Sequence, residues 1–203
     1  MLLYIKYKLK WENVFMKIVL ASKSPRRKEL LSLLDLDFEI ITADIDETMD
    51  PSICVCDEVA RISYEKALAV ANNIDGNSVI ISADTIVELN GKLMGKPKDE
   101  CDARQMLGSL SGKSHNVHTA VTVLSGDKHE TRVVTTAVTF RDITDEEINA
   151  YIETREPMDK AGAYGIQGKA SKFVSGIVGD YFNVVGLPVC ELSLMLKEFQ
   201  INI

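Results

Sequence analysis

The order of predicted elements points to a mixed α/β sheet with helices on both faces. Three observations carry this. Strand and helix patterns alternate through the first half of the chain. Val79-Ile80-Ile81-Ser82-Ala83 is a near-continuous apolar run, as expected of a central strand covered on both sides. Two long alternating segments, 117–124 and 131–140, flank Ser125-Gly126-Asp127-Lys128 and read as a late hairpin.

Each element has its own signal. Lys17-Ile18-Val19-Leu20-Ala21 reads as a short buried strand. Residues 25–34 read as a helix with Leu30, Leu31, Leu33 and Leu34 on its apolar side, Ser24 as N-cap and Pro25 in the first helical position. Phe38-Glu39-Ile40-Ile41-Thr42 is a second strand, running into the acidic loop Asp44-Ile45-Asp46-Glu47-Thr48. Residues 56–72 carry Val59, Ile62, Ala67, Val70 and Ala71 near helical spacing. Residues 86–89 and 92–94 flank Asn90-Gly91, a hairpin turn signal. A helix over 100–110 has Asp99 as cap and Gly112 beyond its end. Thr144-Asp145-Glu146-Glu147 is a capping box opening a helix through residue 152. A glycine-rich loop spans 161–168, and a last helix starts at Pro188.

A chain of 203 residues suits one large domain or two small lobes. Its net charge of −7 argues against non-specific binding to nucleic acid or an anionic membrane, though not against a local basic pocket. No apolar run approaches the ~20 residues of a spanning helix, and no secretory signature is present. The four cysteines, Cys54, Cys56, Cys101 and Cys190, read as reduced core or surface thiols of a cytoplasmic protein. Residues 1–15 read as an extension that the fold does not need, and 16–203 as the working domain.

Ser22-Lys23-Ser24-Pro25-Arg26-Arg27 stands where a strand turns into a helix. Free amides and the helix dipole make that start a ready anion site. Arg26 and Arg27 oppose the dipole there, and a bound phosphate would remove the conflict; solvated arginines are the alternative. Asp84-Thr85 follows the most hydrophobic run, so a carboxylate at a strand terminus in a cleft is expected, with a turn-capping Asp as the alternative. Asp46 and Glu47 could converge with it on magnesium. Lys96 follows the Asn-Gly hairpin, and Lys66 falls on the polar side of the long helix; either neutralises phosphate or is simply solvated. Gln167, in Tyr164-Gly165-Ile166-Gln167-Gly168, offers a donor and an acceptor to a nucleobase edge. His115, His118 and His129 do not resemble a metal-ligand set.

In this order the segments, together with Leu110-Ser111-Gly112, Thr119-Ala120-Val121, the run from Glu156-Pro157-Met158-Asp159-Lys160 into the glycine loop, and Asn183-Val184-Val185-Gly186-Leu187-Pro188, resemble the Maf family of nucleotide pyrophosphatases. The likeness runs from about Lys17 to Phe199 and favours the branch acting on dTTP and UTP over that acting on 7-methyl-GTP. It implies an elongated, twisted sheet of inosine-triphosphatase type with two lobes around a substrate cleft. It implies Asp84 as catalytic group, either as general base or as ion ligand. It implies Arg26, Thr85 and Gln167 in substrate choice, and Ser22, Ser24, Arg27, Lys66, Lys96 and Glu47 in a phosphate and metal site. Mg²⁺ or Mn²⁺ is the implied cofactor, a nucleoside triphosphate the substrate, and a homodimer the candidate assembly. The competing reading is a nucleotide-sensing regulator of cell division with little turnover.

Overall fold

The computed structural model describes residues 16–50, 52–74 and 78–203; the reading of 1–15 as an extension lies outside them. The strands are β1 (Lys17–Leu20), β2 (Phe38–Ile40), β3 (Ser78–Leu89), β4 (Lys92–Met94), β5 (Ser114–Ser125), β6 (Lys128–Phe140) and β7 (Val174–Val178). The helices are α1 (Pro25–Ser32), α2 (Val55–Ala71), α3 (Glu100–Leu110), α4 (Asp145–Glu153), α5 (Tyr181–Val185) and α6 (Val189–Glu198), with short 3₁₀ turns between α4 and β7. The strands form one mixed sheet in the order β2-β1-β3-β5-β6-β7, with β4 also paired to β3.

The central strand differs from expectation. The segments 79–83 and 86–89 are one strand, twelve residues long, so Asp84 lies mid-strand and not at a terminus. Asp84 and Thr85 stay extended because β5 runs antiparallel beside them, from Ile80 opposite Leu124 to Glu88 opposite Asn116. The other edge of β3 is interrupted. Parallel pairing with β1 stops at Leu20 opposite Ile81, and pairing with β4 begins at Val87 opposite Met94. Asp84 and Thr85 sit in that gap, beyond the carboxyl end of β1, where ligands bind in open α/β sheets.

Strand alternation then sends neighbours to opposite faces. Val19, Ile80 and Leu124 pack with Ala67 and Val70 of α2 on one side. Ile18, Leu20, Val79, Ile81, Ala83 and Val121 join the larger core with residues of α1, α3, α4 and α6 on the other. Asp84 thus shares the α2 face, and Thr85 the α1 face.

Several boundaries shift. α1 stops at Ser32, with Asp35 in a left-handed conformation shortly after, so Leu33 is exposed instead of joining Leu30 and Leu31 in the core. Ser24 holds the N-cap position but makes no side-chain capping bond. The second strand ends at Ile40, two residues early. The thiols are free, but none lies in the core: Cys54, Cys101 and Cys190 are exposed and Cys56 is half-buried. Asp99 caps α3 through the Asp102 amide, the Thr144–Glu147 capping box opens α4, and Gly112 takes φ +66 after α3, all as read from the sequence. Among the described residues no helix is long and apolar enough to cross a membrane.

Candidate active site

The gap beside β3 opens into a cleft of about 960 Å³, large enough for a nucleotide. Its α2 wall is built on Asp84, 8% exposed. Lys66 reaches across from α2 and donates to Asp84 Oδ1 at 2.6 Å. The same ammonium lies 2.9 Å from Glu47 Oε1. Lys66 is therefore no solvated lysine on a polar helix side, as its spacing alone allowed; its side chain is 14% exposed and bridges two carboxylates. An unpaired ammonium at that depth would be costly, and two carboxylate partners offset that cost. Burial pushes the Glu47 carboxyl up, but Lys66, Lys96 and Arg27 outweigh this and hold it below its ordinary value.

A support that sequence reading missed places Glu47. Glu58, buried on α2, accepts the Asp50 amide at 2.8 Å and is forked by Arg61 at 3.0 and 2.7 Å. Arg61 also donates to the Thr48 carbonyl at 3.0 Å. This clamp ties the acidic loop to the helix just after Glu47. Asp46, expected to share the metal site, instead accepts the Thr48 amide in a local turn and does not line the cleft. An (i, i+3) Glu–Arg pair on α2 was the only available hint.

The α1 wall carries the arginines. Pro25 opens the helix, so the Arg26 and Arg27 amides have no intrahelical acceptor. Arg27 donates through Nε to the Gly186 carbonyl at 2.8 Å, and through its terminal nitrogens to Thr85 Oγ1 at 3.1 Å and Ser22 Oγ at 3.4 Å. Burial depresses its pKa, with Asp84 partly offsetting that effect. Ser22 also accepts the Ser24 amide at 3.2 Å, which shapes the turn into α1. Ser24 lines the cleft beside Arg26.

The third wall is the segment after α4. Asp159 takes Lys160 at 2.6 Å and Arg26 at 3.5 Å, joining this wall to α1. Burial raises the Asp159 carboxyl, but Lys160 and Arg26 bring it below its usual value. Lys160 also donates to the Glu156 carbonyl at 2.6 Å. The Glu156 carboxylate accepts Tyr151 Oη at 2.9 Å and the Lys169 amide at 3.1 Å. Gly168 lies so close to that carboxylate that a Cβ there would overlap it, which calls for glycine at that position beside Gln167. Gln167 is exposed at the cleft rim. Lys96 stands 3.8 Å from Glu47 at the mouth, and a Gly162 to Gly95 backbone bond of 3.1 Å holds the two loops together.

The structure thus brings together Ser22, Ser24, Arg26, Arg27, Glu47, Lys66, Asp84, Thr85, Lys96 and Gln167. Glu156, Asp159 and Lys160 are additions to the site; the sequence offered them only as part of the segment leading into the glycine loop that enters the resemblance, with no role attached.

An open mixed sheet whose central strand offers a carboxylate into a cation-lined cleft defines the class. The Staphylococcus aureus Ham1 protein has a similar fold, with a TM-score of 0.52 and 16% identity over 90% of this chain and 99% of that one. The chain belongs to the Maf family: residues 17–199 match the family described as Maf-like protein. It is 49% identical over 187 residues to the dTTP/UTP pyrophosphatase of Bacillus cereus strain ZK / E33L, covering 92% of this chain and 97% of the relative. The protein of that name from Bacillus mycoides strain KBAB4 is 48% identical over the same shares.

Proposed function

We infer that this chain is a nucleoside triphosphate pyrophosphatase that hydrolyses dTTP and UTP to the monophosphate and pyrophosphate. The observation that carries the reading is Lys66 held between Asp84 and Glu47 in a cleft whose other walls present Arg26, Arg27 and Lys160. The cations offset the charge of a triphosphate, and the carboxylates serve the reaction. The naming of its relatives supports the choice of pyrimidine substrates.

Lys66 holds Oδ1 of Asp84, leaving Oδ2 to take the proton of a water attacking the α-phosphorus. Arg27 and the free amides at the start of α1 hold phosphate oxygens, with Ser22 and Ser24 shaping the turn. Lys96 and Lys160 flank the chain of phosphates. A Mg²⁺ or Mn²⁺ ion fits this donor set: two carboxylates already converge on one ammonium, and such ions take one or two carboxylates plus phosphate oxygens. Glu47 and Asp84 would hold it, and when bound it would neutralise phosphate charge. Gln167 and Arg26 on the rim select the base, a short amide matching the donor–acceptor edge of uracil or thymine.

The test is kcat/KM for dTTP, UTP, CTP, GTP and 7-methyl-GTP with Mg²⁺ or Mn²⁺. A lead for dTTP and UTP with pyrophosphate released is expected. Equal values across the panel, or a lead for 7-methyl-GTP, would overturn the substrate choice. We place the activity in the cytoplasm, in residues 16–203, and in a homodimer; sedimentation of the purified chain tests the last.

A further inference from the structure

We propose that Thr119 is a positioning residue for this cleft: its hydroxyl fixes Thr85, and through Thr85 the guanidinium of Arg27, and it leaves Thr85 able only to accept a hydrogen bond from a bound nucleotide. The proposal rests on the reading of the cleft as a triphosphate site.

Thr119 lies on β5 directly opposite Thr85 and is fully buried. Four groups stand in series. Arg27 Nη2 lies 3.1 Å from Thr85 Oγ1, Thr85 Oγ1 lies 3.0 Å from Thr119 Oγ1, and Thr119 Oγ1 lies 2.9 Å from the Asn183 carbonyl. The two ends fix the direction. A guanidinium only donates and a carbonyl only accepts. Thr119 must therefore spend its single proton on Asn183, so Thr85 must spend its own on Thr119. Thr85 accepts from Arg27 with one lone pair and has only the other left. It has no proton to offer a ligand, so any direct contact with substrate is with a donor.

The relay also sets what Arg27 presents. Of five guanidinium N–H groups, Nε–H goes to Gly186, one Nη1–H to Ser22 and one Nη2–H to Thr85. Among the described residues one N–H on each terminal nitrogen is left without an acceptor, and charged donors of this kind take phosphate oxygens. Loss of the Thr119 hydroxyl would free Thr85 to rotate and would unseat those donors. The Asn183 carbonyl keeps a second donor, the Gly186 amide at 3.0 Å, so the fold tolerates the loss.

Calorimetry with inorganic tripolyphosphate, alongside UTP turnover, tests this on the full chain. Thr119→Val should weaken tripolyphosphate binding about fivefold, the scale of one hydrogen bond, and Thr119→Ser should restore it to within about twofold. Thr85→Val should cost the same, and the double variant no more than either alone, because the relay runs in series. Parent-like binding by Thr119→Val, or additive losses in the double variant, would overturn the proposal. If Thr119→Val does not fold, Thr85→Val against Thr85→Ser decides: a Thr85→Val protein that binds like the parent overturns it. A parent that binds tripolyphosphate but does not cleave UTP overturns the pyrophosphatase reading and leaves the relay test intact.

Discussion

Asp84 and Thr85 are adjacent in sequence yet serve opposite walls of one cleft, because a strand sends successive side chains to opposite faces. Asp84 meets Lys66 of α2, and Thr85 meets Arg27 of α1. The residue types were legible: an acid after an apolar run, paired arginines at a helix start, a glutamine among glycines. Their partners were not. Lys66 looked solvated because helical periodicity assigns it a polar side but cannot see the carboxylates facing that side. Asp84→Asn isolates the chemistry at this scale. The amide keeps the volume and still meets Lys66, but it cannot take a proton from water. Turnover of UTP should fall by about 10²- to 10⁴-fold, with the melting temperature little changed. Hydrolysis at close to the parent rate would remove Asp84 from the catalytic role.

At the scale of elements, what sets the site is the break in pairing along β3. β1 ends opposite Ile81 and β4 begins opposite Val87, and the cleft opens in between. The two apolar stretches and the Asn-Gly turn were visible in the sequence. Their fusion was not, since Asp84 and Thr85 interrupt the apolar run and only the long partner β5 keeps them extended. The glycine loop shows the opposite balance. Its composition announced a tight connection, and the structure supplies the cause: Gly168 rests on the Glu156 carboxylate, which the Tyr151 hydroxyl and the Lys169 amide fix. Gly168→Ala should therefore displace the loop and Gln167 with it. The expected result is a rise in KM for UTP and a flattened preference between UTP and CTP. A variant with the parent's KM and base ranking would show that the loop is not held by this contact.

For the whole molecule, the same core that frames the cleft sets its tolerance to acid. His115 is buried between Phe140 and Tyr164, with its Nε2 2.9 Å from the Tyr164 hydroxyl. Burial lowers its pKa from 6.5 to about 4. His118 is also lowered by burial, with Glu88 opposing the shift. Below pH 6.5 the unfolded chain takes up protons that the folded chain refuses, so stability falls as pH drops through that window. For His115 the gap corresponds to roughly 3 kcal/mol at most, about 2 kcal/mol of which is lost by pH 5. Glu47, Asp159 and Glu147, all held below their ordinary values by cations, add a separate loss that sets in as pH falls into the ordinary carboxylate range and continues below it. Urea unfolding at pH 7.5 and pH 5 measures the first window before the carboxylates enter it. The parent should lose stability between the two, and His115→Phe, which fills the ring's place without titrating, should lose about 2 kcal/mol less. Equal losses in the two proteins would show that His115 protonates freely in the folded state, and that its burial does not govern the acid limit of this fold.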